Sequence, residues 1–206
     1  MGNAIEPEAM RDGGPNAGCA LEYVDLRDWL EEVKKRGDLK IVKGAHWKSD
    51  IGQVVEVVCH DENTPTILFD EVQGSPKGFR LLINWFTGTR KNLTLGFPSQ
   101  LNKLELSQAY HRHTRNLSPI PHVIVENGPV FENITEGADI DITKFPSPLW
   151  NPEDGGRYIG TGCFNITRDP DSGWINCGTY RVMVHDEKRV GLYISPGKHG
   201  RIHRDK

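Results

Sequence analysis

The residues best suited to bind an anion or a metal ion lie within residues 150–203. This segment is rich in glycine, asparagine, arginine and histidine, placed between short β-like runs. Residues 176–181 read NCGTYR, and a strand there would put alternate side chains on opposite faces. Gly178 would then remove a side chain from the interior of the strand. That indicates either the close approach of a ligand or backbone, or a bend of a barrel.

On that prediction, one face of the strand carries Asn176, Gly178 and Tyr180, and the other carries Cys177, Thr179 and Arg181. Arg181 stands among apolar neighbours in the run 180–184. A buried guanidinium needs a carboxylate, a phosphate or a substrate anion as its partner. An arginine on an edge strand would instead keep its charge in water. The pattern leaves both possibilities open.

A glycine-flanked basic loop, SPGKHG at residues 195–200, follows an apolar run. Its backbone N–H groups, with Lys198 and His199, could surround a phosphate. The imidazole of His199 could also bind a metal ion. The phosphate-binding spacing GxxxxGK[ST] is absent, and a single histidine among the eight of this chain is more often not a ligand.

Length and charge exclude several classes of protein. The 206 residues suffice for one large domain or two small ones. A formal net charge of −3 provides no basic field, so nucleic acid is not expected as a partner. No apolar run approaches the roughly 18 residues of a membrane span, and the first residues lack the apolar core of a signal peptide. We therefore expect no membrane partner and a cytoplasmic location.

The four cysteines are Cys19, Cys59, Cys163 and Cys177. They form no CxxC pair, which argues against a structural zinc site. In a cytosolic chain they are expected to be reduced thiols. Cys59 and Cys163 are expected to be buried as small apolar side chains.

The first half of the chain mixes helical and β patterns. Residues 1–20 are rich in glycine, proline and asparagine without periodicity and are predicted to form a flexible tail. Asp25 is a predicted N-cap, helical spacing follows it, and Gly37 is a predicted C-terminal stop. Further helices are predicted over 49–58 and 101–114, and strands over 39–42, 66–69 and 79–85.

Two prolines within residues 118–121 favour an extended linker, so a domain boundary is predicted there. The remainder reads as β, with predicted strands over 122–126, 130–133, 158–168, 174–185 and 189–194, and turns at 169–173 and 185–188. This spacing is typical of a barrel or sandwich. The predicted fold class is α+β, with the tail over 1–20, an N-terminal α+β domain over 21–118 and a β domain over 119–206.

Taken in order, several short motifs resemble the UbiD family of (de)carboxylases that use prenylated FMN. They are LRDWL at 26–30, PTILFDEVQG at 65–74, FPxP at 145–148, DGGRYI at 154–159, DPxSG at 169–173, NxGxxRxM at 176–183 and GKH at 197–199. The ordered string, from about residue 23 onward, is far more specific than any one motif. It implies an N-terminal α/β module followed by the first part of a split β-barrel cofactor domain of the flavin-reductase type, truncated within residues 119–206.

The resemblance also assigns roles to residues. Those implied to bind the cofactor are Asn176, Cys177, Gly178, Thr179, Tyr180, Arg181, Lys198 and His199. Asn176 and His199 resemble two of three protein ligands of a divalent metal, usually Mn²⁺, that the cofactor phosphate also binds. The Cys177 peptide resembles one that offers a carbonyl to K⁺. Arg181 resembles the catalytic arginine that holds the substrate carboxylate, and Lys198 occupies a flavin contact that is often a glutamine in the family.

The implied reaction is reversible carboxylation or decarboxylation of an aromatic, heteroaromatic or α,β-unsaturated acid, in which the cofactor serves as an electron sink while CO₂ leaves. The implied partners are that small acid, CO₂ and a flavin prenyltransferase that supplies the cofactor. The full-length protein is expected to be a homo-oligomer.

The family also uses a third metal ligand, a glutamate, and a Glu–Arg–Glu arrangement that moves the proton. Both lie further along the chain than His199, and the sequence stops at Lys206 before they are reached. We therefore expect the front part of a longer decarboxylase, with little activity and weak or no flavin retention by itself. Two alternatives stay open: a non-catalytic truncated homologue that acts as a subunit or interaction module, and a split-barrel flavin reductase.

Overall fold

The computed structural model describes residues 19–115, 117–118, 120–121 and 123–206. Nearly all of the predicted flexible tail, residues 1–18, lies outside these ranges, as does His122 at the start of a predicted strand.

The structure contains helices and short strands. The helices are α1 (Leu26–Lys35), α2 (Asp50–Val58), α3 (Arg90–Thr94), α4 (Lys103–Thr114) and α5 (His199–Asp205). The strands are β1 (Leu39–Lys43), β2 (Thr66–Asp70), β3 (Leu81–Ile83), β4 (Arg157–Gly160), β5 (Asn165–Arg168), β6 (Ile175–Gly178), β7 (Val182–Val184) and β8 (Val190–Leu192). Single 3₁₀ turns cover Pro129–Phe131, Gly137–Asp139 and Ile142–Lys144. The sheets have the strand orders β1-β2-β3, β4-β7-β8 and β5-β6.

This mixture of helices and small sheets confirms the predicted α+β class, while the split-barrel architecture stays a prediction. The helices predicted from apolar spacing are present as α1, α2 and α4. Asp25 caps α1 by accepting the N–H groups of Arg27 and Asp28, and Gly37 has the positive φ of +72° expected just beyond a helix end.

By its contacts the chain divides into two compact units. The first contains described residues 19–40 together with Asp61–Ile67 and Ile83–Glu132. The second contains Ile41–His60, Leu68–Leu82 and Asn133–Lys206. The domain boundary predicted near residue 118 stays a prediction.

The first unit has an apolar core and a buried cation. Trp29 and Val33 of α1 are almost completely buried, and the indole N–H of Trp29 donates to Thr94 Oγ1 at 3.0 Å. Arg90 is only 4% exposed. Its guanidinium donates to Asp38 Oδ2 at 2.7 Å, to Thr64 O at 2.7 Å and to Asn84 O at 3.0 Å. Three acceptors of this kind are what a buried arginine requires.

In the second unit, α2 approaches other backbone closely through Gly52. A Cβ at this position would lie 2.9 Å from Leu149 O and even closer to Trp150 O. The preceding segment is held by Arg157, which donates to Ser147 O at 2.8 Å and Phe145 O at 2.9 Å. These contacts fix the proline-rich segment ahead of β4.

The strands of the second unit that carry the candidate site are antiparallel. β7 pairs with β4 and β8, and the β4 register shifts between Tyr158 and Gly160. β5 and β6 pair so that Thr167 lies opposite Asn176. Helix α5 packs on β5 and β6, which brings the end of the described chain against the NCGTYR segment.

Several strand predictions were wrong. The described residues 123–126 form no strand, and residues 130–133, predicted as a strand, begin with a 3₁₀ turn because Pro129 fixes its backbone angle and lacks a donor. The single strands predicted over 158–168 and 174–185 are each divided in two. The turn at 169–173 is confirmed, since Gly173 N donates to Asp169 O between β5 and β6.

Cys59 was also predicted wrongly. It is exposed at the C-terminal cap of α2 and not buried, whereas Cys163 is half-buried. All four cysteines are free thiols, as expected.

Replacing Arg90 with alanine should cost about 3–5 kcal/mol of unfolding free energy, because it removes the buried guanidinium that is hydrogen-bonded to Asp38, Thr64 O and Asn84 O. Urea unfolding measures this cost. The control is Lys103→Ala, since the exposed Lys103–Glu62 pair (70% and 54% exposed) should contribute no more than about 1 kcal/mol. Equal effects of the two changes would contradict the structural role given to Arg90.

Replacing Gly52 with alanine should destabilise the protein by about 1–3 kcal/mol, although alanine is the better helix former. The new Cβ would overlap backbone carbonyls that cannot move independently of the chain. Thermal or urea unfolding of Gly52→Ala is compared with Gln53→Ala at the exposed neighbouring position, where a change within about 0.5 kcal/mol is expected. A stabilised Gly52→Ala protein would show that the close approach is wrong.

Candidate functional site

A cavity of about 660 Å³ lies in the second unit, at the end of β6 and the start of α5. Its lining residues are Asn176, Cys177, Gly178, Thr179, Tyr180, Arg181, Tyr193, Ser195, Gly197, Lys198 and His199. All eight residues that the sequence pointed to are among them. The structure therefore brings together two motifs that are separated in the chain.

The NCGTYR segment is not one continuous strand, which corrects the prediction of alternating faces. β6 ends at Gly178, residues 179–181 are irregular, and β7 continues in another sheet. Tyr180 folds back over Gly178, where a Cβ would lie 2.5 Å from its ring. Tyr180 O accepts hydrogen bonds from Cys163 Sγ and Asn165 Nδ2, both at 2.9 Å. These contacts hold the break that opens the cavity.

The amide nitrogen of Asn176 is hydrogen-bonded to other side chains of the protein. Nδ2 donates to Tyr180 OH at 3.1 Å and to Thr167 Oγ1 at 3.2 Å. The amide oxygen has no hydrogen-bond partner among the described residues and is the atom left for a ligand.

His199 is the first residue of α5 and is exposed. Its ring meets that of Trp174 edge to face, with 4.7 Å between centroids. Trp174 meets His203, one turn further along α5, in the same way at 5.0 Å. The imidazole of His199 is thus held by ring packing, and its nitrogens make no hydrogen bond within the part of the chain that the structure describes.

Arg181 and Lys198 provide positive charge at the cavity. Arg181 is exposed, and its guanidinium makes no hydrogen bond or ion pair with any described residue. Of the two environments that the sequence left open for Arg181, the structure shows the solvent-exposed one. Arg181 also lines a smaller cavity of about 250 Å³ with Trp150, Asn151, Asp154, Tyr158 and Thr161. An unpaired guanidinium between two cavities is suited to hold a carboxylate.

The donor set fits a hard or borderline divalent cation at two positions, through the Asn176 amide oxygen and a His199 nitrogen. None of the described residues that line the 660 Å³ cavity is acidic. The described residues therefore offer two neutral protein ligands together with cationic side chains, a combination that also favours a phosphate.

Two family models match the chain. That of the 3-octaprenyl-4-hydroxybenzoate carboxy-lyase N-terminal domain matches residues 30–109, and that of the Rift-related domain of the same enzymes, UbiD, matches residues 122–206. Together they cover well over half of the sequence. The chain belongs to the UbiD family.

Relatives in the UbiD family include decarboxylases. The pyrrole-2-carboxylic acid decarboxylase of Pseudomonas aeruginosa is 29% identical over 194 residues, covering 88% of this chain and 38% of the relative. The phenolic acid decarboxylase of Sedimentibacter hydroxybenzoicus is 30% identical over 185 residues, covering 84% and 37%. The chain thus spans about two fifths of the length of the curated relatives it matches.

Solved structures of the UbiD class resemble the present one. The closed form of the vanillic acid decarboxylase from Sedimentibacter hydroxybenzoicus has a TM-score of 0.81 at 26% identity, with 89% of this chain and 40% of that chain covered. The UbiD-class enzyme HmfF from Pelotomaculum thermopropionicum, in complex with prFMN, has a TM-score of 0.65 at 27% identity, with 83% and 38% covered.

Some site residues were missed by the sequence reasoning, namely Cys163, Asn165, Thr167, Trp174 and His203. Asn165 and Thr167 are two positions apart and share one face of β5, a signal hidden because residues 158–168 were predicted as one strand. Another cluster, Glu56, Cys59 and His60, brings three exposed ligand-type atoms within 4.8 Å at the end of α2. Its spacing of three and four residues is visible in the sequence. Nothing else in the described ranges indicates a ligand there.

No helix among the described residues is both long and apolar enough to cross a membrane. A cytoplasmic location stays a prediction.

Asp169 stabilises the turn between β5 and β6. Its carboxylate accepts from Lys206 Nζ at 2.7 Å and from the N–H groups of Asp171 and Ser172 at 2.9 and 3.0 Å. The Lys206 hydrogen bond, followed by the backbone N–H groups, holds the pKa of Asp169 far below its usual range. The charged form is therefore the one that stabilises the β5–β6 turn.

Replacing Asp169 with asparagine should lower the thermal midpoint at pH 7, because the amide keeps a turn acceptor but loses its charge toward Lys206. Since the folded pKa is depressed, this contribution is present above the unfolded value of about 3.9 and is lost as pH falls below it. The difference from the unaltered chain should therefore shrink below about pH 4.

Asp171→Asn is the matched control for this prediction. Asp171 also contacts Lys206, at 2.9 Å, but its side chain is 74% exposed. Thermal unfolding from pH 3 to 7 compares the three proteins, and a smaller effect is expected at Asp171. A difference at Asp169 that is independent of pH would contradict the role of the carboxylate charge.

Proposed function

We propose that the 660 Å³ cavity is the metal- and phosphate-binding side of a prenylated-FMN site in a UbiD-type (de)carboxylase. The reaction would be reversible carboxylation or decarboxylation of an aromatic, heteroaromatic or α,β-unsaturated acid. Within this proposal, residues 21–118 form the N-terminal domain and residues 119–206 form part of a split-barrel cofactor domain.

The observation that carries the proposal is the convergence at this cavity. The NCGTYR segment and the GKH motif are about twenty residues apart in the chain, yet both line it. Membership of the UbiD family and the likeness to a structure in complex with prFMN support the same assignment.

Each residue has a role that its contacts permit. Asn176 Oδ1 and the His199 imidazole would bind Mn²⁺, and the Cys177 peptide would contribute a carbonyl to K⁺. The chain segment 177–181 would lie along the flavin, with Lys198 close to its polar edge. Arg181, whose guanidinium has no hydrogen bond or ion pair with a described residue, would hold the substrate carboxylate. Bound prenylated FMN would supply an electron sink for the departure of CO₂.

No described residue that lines the cavity carries a carboxyl group, and the imidazole of His199 is assigned to the metal. The lining described here therefore does not supply the glutamates that the family resemblance implies for moving the proton. We therefore expect the 206-residue chain to bind prenylated FMN weakly and to release little CO₂. Supply of the cofactor by a flavin prenyltransferase, a homo-oligomeric assembly and a cytoplasmic location belong to the same proposal.

The proposal is tested by titrating prenylated FMN, with Mn²⁺ and K⁺ present, into the 206-residue chain and following the flavin absorbance. A saturable spectral change is expected. With the cofactor bound, Arg181→Met should weaken binding of aromatic acids by about 10- to 100-fold, as expected for a lost hydrogen bond to a charged group. It should leave binding of the corresponding neutral amides unchanged, and saturation-transfer NMR measures both.

The matched control is Arg168→Met, an exposed strand arginine outside the cavity. It should leave acid binding unchanged. Absence of any flavin spectral change would refute the proposed site and favour a non-catalytic interaction module. Oxidation of NAD(P)H with unmodified FMN would favour a flavin reductase, and rapid CO₂ release by the chain would contradict its expected low activity.

A further inference from the structure

We propose that Thr167, Tyr180 and His203 are positioning residues that set the geometry of Asn176 and His199 before a divalent cation binds. This inference rests on the proposed function, because it takes Asn176 and His199 to be the cation ligands. It concerns side chains that do not themselves contact the cation.

The first step is the orientation of the Asn176 amide. Both of its N–H bonds have acceptors, Thr167 Oγ1 at 3.2 Å and Tyr180 OH at 3.1 Å. These two contacts fix the plane of the amide. They leave its oxygen, the atom that a hard cation prefers, without a hydrogen-bond partner among the described residues.

The second step is the link between the two ligand-bearing elements. Tyr180 is 7% exposed, and its ring fills the space left by two missing side chains. A Cβ would lie 2.5 Å from the ring at Gly178 and 2.7 Å from it at Gly200. The phenolic oxygen also accepts the N–H of Gly200 at 3.1 Å. One hydroxyl thus joins the Asn176 amide to the residue that follows His199.

The third step is the hydrogen bond between Thr167 and His203. His203 is 6% exposed, and its Nδ1 lies 2.9 Å from Thr167 Oγ1. Because Thr167 has a single hydroxyl proton and already accepts from Asn176, that proton is available for Nδ1. His203 Nε2 is buried without a hydrogen-bond partner among the described residues. Burying an imidazole nitrogen without a hydrogen-bond partner costs stability. We attribute the retention of a histidine at position 203 to its contact with Thr167.

Together these contacts form one connected network, from His203 through Thr167, Asn176 and Tyr180 to Gly200. Its members come from β5, β6, the irregular segment and α5. Groups behind a metal ligand fix its orientation, and their replacement typically weakens metal affinity by about 10- to 100-fold. The alternative is that the network contributes only to packing and leaves cation affinity unchanged.

The test is a titration of the 206-residue chain with Mn²⁺ alone, which broadens nearby NMR resonances even when binding is weak. Broadening is expected around Asn176 and His199. Thr167→Val removes the hydroxyl and keeps the shape, and it should weaken Mn²⁺ binding by about 10- to 100-fold. Thr167→Ser restores the hydroxyl and should bind like the unaltered chain. Tyr180→Phe keeps the ring between the two glycines and should weaken binding to a similar extent.

The side-chain amide resonances of Asn176 provide a second readout without metal. They should shift in Thr167→Val and Tyr180→Phe, while thermal midpoints show that each protein is folded. If Thr167→Val does not fold, Tyr180→Phe decides the matter. Shifted amide resonances with unchanged Mn²⁺ affinity would overturn the inference and leave the proposed function standing. Absence of localised broadening in the unaltered chain would overturn both the metal ligands and this inference, and the flavin titration would then report separately on cofactor binding.

Discussion

The insertion of the Tyr180 ring between Gly178 and Gly200 is the contact on which the candidate site depends. The ring occupies the volume that side chains at both positions would need, as the close approaches of a hypothetical Cβ show. It ends β6 at Gly178, turns the chain toward β7, and seats the start of α5 through the Gly200 N–H. Two motifs meet at one cavity because a single aromatic side chain fills the space between them.

The electrostatics of the cavity follow from this arrangement. The amide nitrogen of Asn176 donates to the hydroxyls of Thr167 and Tyr180. Lys198, His199 and Arg181 are exposed. With no acidic side chain among the described lining residues, the positive charges of Lys198 and Arg181 are not neutralised by the cavity wall. The wall therefore favours anionic groups such as a phosphate or a carboxylate. Asp169 is not one of the residues that line the cavity, and its carboxylate forms an ion pair with Lys206.

Local patterns predicted α1, α2 and α4 and the strands β1, β2, β3 and β8, but missed α3 and α5 and the breaks within the other β segments. α1 and α4 are specified by local sequence: each has apolar residues at helical spacing and a capping side chain, Asp25 for α1 and Asn102 for α4. The short strands depend on partners that periodicity does not specify. The break at 179–181 in particular depends on Tyr180 and on hydrogen bonds from Cys163 and Asn165. The site residues were named by the ordered motifs of a family, since each motif alone was weak. Thr167, which accepts a hydrogen bond from Asn176, and His203, which contacts Thr167, lie outside the motifs assigned to the site. Their roles become evident only from the hydrogen bonds of the structure.

Gly178 shows how a correct physical signal can lead to an incomplete structural prediction. Its position indicated either a close approach or a bend of a barrel. Its φ is not positive, so space and not backbone conformation is what requires a glycine here. A group that approaches this position is the protein's own Tyr180 ring. Gly178 therefore acts indirectly: it admits the aromatic ring whose hydroxyl accepts a hydrogen bond from Asn176 Nδ2, and the Asn176 amide oxygen has no partner among the described residues.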